Sequence, residues 1–134
     1  MIKNIFSAVL ISIILFSCHD NNHPTTALDT GRLFIRTTLD GNFNDAESLL
    51  YKDTVNVEMY DSYKAFFKRL PDSTKDNYKA SDYTINKYTD LNDSTAVINY
   101  SNSYMNKPME IKIVRVNDQW KIDFKYTSSV SSFN

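Results

Sequence analysis

Residues 111–124 read IKIVRVNDQWKIDF and predict a β-hairpin. Asn117 and Asp118 suit the two positive-φ positions of a two-residue turn, and a turn of that length fixes the strand register on both sides. In this register Ile113 lies opposite Ile122, and hydrophobic residues alternate with charged ones over 109–113 and 120–126. One face of the hairpin is therefore expected to belong to the core and the other to meet water.

The same register makes specific pairs on each face. On the core face the further pairs are Arg115 with Trp120, Ile111 with Phe124, and Met109 with Tyr126. On the other face the pairs have opposite charges, Lys112 with Asp123 and Glu110 with Lys125. A slip of one residue would lose both patterns at once, so the pairing predicts that Asp123 lies on the solvated face.

Two more strands are predicted before the hairpin. Residues 83–88 and 95–104 alternate in the manner of half-buried strands, and the turn residues 92–94 separate them. Residues 106–108, which include Pro108, end the second run. With the hairpin, this gives an antiparallel sheet of about four strands.

The part of the chain before these strands favours helices. Hydrophobic residues recur at helical spacing over 27–39, over 43–50, where Asn44 or Asp45 could cap the helix, and over 59–70, which Pro71 ends. Residues 72–79 are polar and are expected to form a loop, and residues 127–134 a loose tail. The predicted class is α+β, with N-terminal helices packed on an antiparallel sheet.

The N-terminus resembles the signal of bacterial lipoproteins. Lys3 precedes an apolar run over residues 5–16 and then Cys18, the only cysteine. A twelve-residue run extends about 18 Å as a helix, too short to span a bilayer. The segment ends Leu-Phe-Ser-Cys, which resembles the lipobox in which the cysteine thiol receives a lipid before cleavage; Phe16 departs from the usual small residue.

This resemblance predicts the domain boundaries of the chain and its cellular location. Residues 1–17 would be the signal, 18–26 a lipidated and flexible tether, 27–126 the folded domain, and 127–134 the tail. The protein would be anchored by acyl chains to a membrane of the bacterial cell envelope, facing the periplasm or the cell surface. The alternative for Cys18 is a free thiol after an ordinary secretory signal.

Composition restricts the partners. The net charge is −1, and removal of residues 1–17 makes it −2, because only Lys3 is lost; no basic cluster suited to nucleic acid appears. With one cysteine the fold has no internal disulfide and depends on its hydrophobic and aromatic residues. His19 and His23, the only histidines, lie on the tether and make a poor metal site, so neither metal nor cofactor is expected.

The order of elements resembles the nuclear transport factor 2-like superfamily, and in particular its small lipoproteins of unknown function. The resemblance rests on helices followed by antiparallel strands, on the final hairpin, and on residues 39–46, LDGNFNDA, after the first helix. It covers about residues 27–126. The resemblance implies a cone in which a curved sheet wraps the helices and leaves a pocket open at one end.

Two functions fit such a pocket. Enzymes of this superfamily use a buried carboxylate or histidine as general base, with tyrosines that polarise a carbonyl, and Asp61 beside Tyr60 and Tyr63 is the candidate group for acid–base chemistry without a cofactor. The plainer interpretation makes Asp61 an exposed helix residue and the two tyrosines core aromatics.

The second function is a binding module, and we favour it. Arg115 and Trp120 would form a cation–π contact at the rim, and Tyr100 and Tyr104 would line a pocket for a small apolar ligand or a partner protein. Trp120 could instead only plug the sheet against the helices. The charged outer face of the hairpin leaves the oligomeric state open.

Overall fold

Four helices precede the sheet in the computed structural model, which describes residues 23–130 of the chain. The helices are α1 (Ala27–Leu39), α2 (Phe43–Ser48), α3 (Thr54–Lys68) and α4 (Asp72–Ala80). The strands are β1 (Tyr83–Asn92), β2 (Thr95–Asn102), β3 (Pro108–Val116) and β4 (Gln119–Asp123), and α5 (Phe124–Val130) follows. The sheet is antiparallel in the order β1-β2-β3-β4, so the α+β class with helices before a four-stranded sheet is confirmed.

The helix starts follow from polar caps. The Thr26 hydroxyl accepts a hydrogen bond from the Asp29 N–H at 3.1 Å and begins α1. Asn42 caps α2, rather than Asn44 or Asp45 as predicted. Asp53 caps α3, so that helix begins before the hydrophobic period that predicts it.

The segment 72–79 is helical, and the prediction of a loop was wrong. Pro71 stands at the N-cap of α4, Asp72 lies in the first turn and Lys79 in the last, an arrangement that favours a helix through its dipole. Its one large hydrophobic residue, Tyr78, packs against Phe67 with ring centroids 6.0 Å apart. No residue of α4 is buried, which explains why the segment has no hydrophobic period.

The core lies between the helices and the sheet. α1 crosses β2, β3 and β4, and Gly31 brings its backbone close to the side chains of Ile98 and Ile111. At the β4 edge, residues 49–51 add a short parallel pairing: the Ile122 N–H donates to the Leu49 carbonyl at 2.8 Å, and the Tyr51 N–H donates to the Ile122 carbonyl at 2.9 Å.

The hairpin register is as predicted through Asp123. Asn117 and Asp118 have φ of 49° and 61°, and the register pairs Ile113 with Ile122. The structure also pairs Arg115 with Trp120 and Lys112 with Asp123. Ile113 and Ile122 are fully buried, so the face assignment is correct for the core side.

Beyond Asp123 the hairpin prediction was wrong. The chain turns into α5 at Phe124, so the pairs predicted for Phe124, Lys125 and Tyr126 do not form, and Thr127 belongs to this helix rather than to a loose tail. The fully buried Asn56 on α3 provides a reason, because its side-chain oxygen accepts the Lys125 N–H at 2.7 Å. A strand ladder would have used that N–H.

Asp123 is only 6% exposed, which corrects its predicted place on the solvated face. The ammonium groups of Lys112 and Lys125 lie 3.8 and 3.6 Å from its carboxylate oxygens. The helical turn after Asp123 brings Lys125 back beside the carboxylate, and together the two lysines cover it. Burial of this charge is tolerated because both cations accompany it.

Asp53 joins α3 to α5 by an ion pair. One carboxylate oxygen caps α3, and the other accepts from the Lys125 ammonium at 2.8 Å. The hydrogen bond from Lys125, followed by that from the Asn56 N–H, lowers the pKa of Asp53 below its ordinary value of 3.8. A carboxyl group with a lowered folded-state pKa stabilises the fold above its unfolded pKa, and that contribution disappears as the pH falls through the folded pKa.

We therefore expect Asp53→Asn to lower the melting temperature at pH 7 and to have a smaller effect at a pH of about 2, because protonation of Asp53 removes the same charge that the substitution removes. Asparagine caps helices about as well as aspartate, so the change isolates the charge. Circular dichroism melts at the two pH values measure the difference. Asp93→Asn, in the exposed β1–β2 turn, is the matched control. An equal loss at both pH values would contradict the assignment.

Candidate functional site

A cavity of about 970 Å³ lies between the helices and the β2–β3 part of the sheet. This volume is at the upper end of the range of about 300–1,000 Å³ that is typical of small-molecule sites. Its wall is mostly aliphatic, aromatic and methionine side chains. The larger of these are Phe34, Met59, Tyr63, Phe66, Phe67, Tyr78, Tyr100, Met105, Met109 and Phe124.

Two walls of this cavity are formed by α1 and α3, and the lining residues follow the helical period. On α1 the lining residues are Phe34, Ile35, Thr38 and Leu39, which share one face of the helix. Every residue of the predicted hydrophobic period lines the cavity: Met59, Tyr63, Phe66 and Phe67 on α3, and Leu70 just after it. The hydrophobic period therefore identifies the face that lines the cavity, although of these residues Phe67 alone is buried and Phe66 is 44% exposed.

Three tyrosines contribute hydroxyl groups to the wall. Burial raises the pKa of Tyr63 and Tyr100, and electrostatic interaction with the Tyr78 hydroxyl raises it further for both. The pKa of Tyr78 is also raised, first by burial. All three hydroxyls are therefore neutral at physiological pH and act as hydrogen-bonding groups rather than as charges.

Thr38 and Asn102 are two of the other polar side chains in the same wall. The Thr38 hydroxyl oxygen is buried and has no hydrogen-bond partner within the described part of the chain. The side-chain oxygen of Asn102 accepts from the backbone N–H groups of Tyr104 and Met105, at 3.2 and 2.9 Å. Lys107, in the β2–β3 loop, is the one charged side chain among the described lining residues, and it is exposed.

The structure does not bring the predicted acid–base group together. Asp61 lies two residues from Met59 on α3 and faces outward, with its side chain 57% exposed and 2.8 Å from the Lys64 ammonium. Tyr60 is buried in the core and donates to the Phe43 carbonyl at 3.2 Å, so only Tyr63 of the three lines the cavity. Positions two apart on a helix do not share a face, which explains the separation.

Of the predicted binding residues, only Tyr100 lines the cavity. The guanidinium of Arg115 lies 5.9 Å from the Trp120 ring centroid, so the predicted contact between them exists, but at the hairpin end and outside the cavity wall. Tyr104 is 42% exposed and packs edge-on against Tyr78, with ring centroids 5.0 Å apart. It supports the wall from outside.

Sequence reasoning missed several lining residues. Thr38 and Asn102 were recognisable from spacing, because Thr38 is four residues after Phe34 and Asn102 is two residues after Tyr100 on its strand. Tyr78 had no such signal, since its helix has no hydrophobic period. Met105 lies in the β2–β3 loop, where periodicity gives no guidance.

Residues 23–130 offer neither a metal centre nor a membrane-spanning helix. That part of the chain contains no group of three or more histidine, cysteine, aspartate or glutamate side chains arranged to hold a metal ion. Within the same residues no helix has the length and hydrophobicity to cross a membrane.

Comparisons with known proteins add no further information. No protein-family model, no curated protein and no solved structure matches this chain.

Proposed function

We propose that this chain is a membrane-anchored lipoprotein whose α+β domain binds a small apolar molecule in the cavity described above. The observation that supports the proposal is the cavity itself, about 970 Å³ in volume and lined mostly by apolar groups. Protein interiors pack as densely as organic crystals, with few voids larger than a water molecule. A space of this size therefore differs in kind from a packing defect.

An apolar occupant would gain stability from the cavity wall. At about 30 Å³ per molecule, the cavity has the volume of roughly thirty waters. Water there finds few hydrogen-bonding partners, while each methylene group of a ligand moved into the cavity contributes about 0.8 kcal/mol. Met59, Met105 and Met109 are flexible enough to adapt to the shape of a ligand.

A binding role agrees better with the wall than acid–base catalysis does. The described lining residues include no aspartate, glutamate, histidine or cysteine. Asp61, the candidate general base, faces solvent and pairs with Lys64. The polar groups that remain are neutral hydroxyls and an amide, which orient a ligand through hydrogen bonds.

The anchor proposed at Cys18 lies outside the described residues. The described chain is compatible with a tether, because α1 begins at Ala27, nine residues after Cys18. Extended chain of that length reaches about 30 Å. The domain would then stand clear of the lipid surface, with its cavity open to molecules in the cell envelope.

Membership of the nuclear transport factor 2-like superfamily is part of the same proposal. Helices followed by an antiparallel sheet, with a cavity between them, agree with the cone that the resemblance implies. The extra helix α5 after the last strand closes one side of that cavity through Phe124 and Thr127.

Pyrene, an apolar fluorophore without a polar group, provides a test of binding. We expect the chain from residue 18 onward, with Cys18→Ser to prevent lipidation, to take up pyrene and move its emission spectrum toward that of an apolar solvent. Met109→Trp places an indole group in the cavity and should weaken pyrene binding by at least about tenfold, equivalent to about 1.4 kcal/mol. Met109 is half-buried on β3, next to open volume, so the larger side chain has room.

The matched control is Tyr88→Trp, an exposed position on β1 outside the cavity wall. It adds an equal indole group and should leave pyrene affinity unchanged. No pyrene uptake by the folded protein, or equal weakening by both tryptophans, would overturn the proposal.

A further inference from the structure

The Thr38 hydroxyl behaves unlike those of the other threonines on α1. Thr30 donates to the Thr26 carbonyl and Thr37 to the Leu33 carbonyl, both at 2.8 Å. Such bonds to the carbonyl four residues earlier are the usual way for a threonine inside a helix to satisfy its hydroxyl. Thr38 makes no such bond within the described residues, although its oxygen is buried.

A buried hydroxyl without a partner destabilises a fold unless something else satisfies it. Thr38 belongs to the wall of the cavity, so a molecule in the cavity is placed to supply the missing hydrogen bond. A hydroxyl both donates and accepts, so a ligand hydroxyl or carbonyl oxygen would serve.

The charged groups in the cavity wall determine which ligand charge the cavity can accept. Lys107, the single cation among the described lining residues, is exposed in the β2–β3 loop, and no buried cation accompanies Thr38 in the wall. An ionised carboxylate or phosphate placed among buried apolar side chains loses its hydration without compensation. The wall therefore disfavours an anionic group inside the cavity.

We propose that the ligand is an uncharged amphiphile, with an apolar body and one hydroxyl or carbonyl oxygen that hydrogen-bonds to Thr38. This inference rests on the proposed function, because it concerns the same cavity. The inference adds that the ligand carries a polar group, by which the protein selects among apolar molecules. Thr38 is the residue that recognises this group.

The test uses competition against bound pyrene. We compare 1-dodecanol with dodecanoate at pH 8, where the carboxyl group is ionised and the chain length is the same. We expect dodecanol to displace pyrene at a concentration at least about tenfold lower. Thr38→Val keeps the shape but removes the hydroxyl, and it should weaken dodecanol about fivefold while pyrene and dodecanoate are unaffected.

Two further variants distinguish the loss of the Thr38 hydrogen bond from a structural change caused by the substitution. Thr38→Ser retains a hydroxyl and should bind dodecanol within about twofold of the unmodified protein. Ser62→Ala removes another hydroxyl from the wall, but one that already donates to the Glu58 carbonyl at 3.0 Å, so dodecanol affinity should not change.

The outcomes distinguish the two proposals. Pyrene uptake that Met109→Trp weakens, together with equal competition by dodecanol and dodecanoate or an unchanged dodecanol affinity in Thr38→Val, overturns the inference and leaves the binding function standing. Absence of pyrene uptake overturns both. A dodecanol affinity that falls about fivefold in Thr38→Val and is retained in Thr38→Ser, with dodecanoate affinity unchanged in both, supports both.

Discussion

Cys18→Ala is expected to abolish incorporation of labelled palmitate into the protein and to leave it as unprocessed precursor. In the lipoprotein class that the N-terminus resembles, the cysteine sulfur receives the lipid, and alanine has no nucleophilic atom to replace it. Cleavage follows lipidation in that class, so loss of the thiol blocks both steps. The effect is complete rather than graded, because no other cysteine exists in the chain.

The measurement is metabolic labelling in a bacterial host, followed by electrophoresis to resolve precursor from mature protein. Ser17→Ala, at the neighbouring position, retains the thiol and should label normally. Label that persists in Cys18→Ala would show that the lipid is attached elsewhere and would contradict the prediction. Normal processing without label in the unmodified protein would favour the alternative of an ordinary secretory signal.

The sequence predicted the centre of the hairpin because two independent local signals agreed there. Asn117 and Asp118 fix the turn, and the alternation beside them fixes which side chains are buried. The alternation continues through Phe124 and Tyr126, so nothing local indicates that the strand ends at Asp123. The end is set from a distance, by the Asn56 side chain that accepts the Lys125 N–H.

The candidate site was predictable only in part, for a related reason. Periodicity identifies the apolar face of a helix, as on α3, but does not tell a filled core from the wall of a cavity. Which tyrosines line that cavity depends on how the elements pack. Tyr60 and Tyr63 differ by three positions, and the packing places one in the core and the other on the cavity wall.

Gly31→Leu is expected to lower the free energy of unfolding by about 3 kcal/mol, since overpacking a well-packed core commonly costs about 1–3 kcal/mol or more. A Cβ added at Gly31 would overlap the Cδ1 atom of Ile98 and lie 3.3 Å from that of Ile111. Both isoleucines are fully buried in the sheet and have little space to move into. Alanine at this position would gain about 1 kcal/mol in helix propensity and so partly hide the clash, whereas leucine adds three more carbons.

Urea denaturation of both variants measures the effect, with Arg32→Leu as the control on the adjacent, exposed position of α1. That control should stay within about 0.5 kcal/mol of the unmodified protein. A Gly31→Leu protein as stable as the control would contradict the close contact between α1 and the sheet. The contact matters for the cavity as well, because α1 meets the sheet at Gly31 and lines the cavity from Phe34 onward. A leucine that pushes the helix away from Ile98 should therefore also change the cavity wall, and pyrene affinity in the folded fraction should fall with the loss of stability.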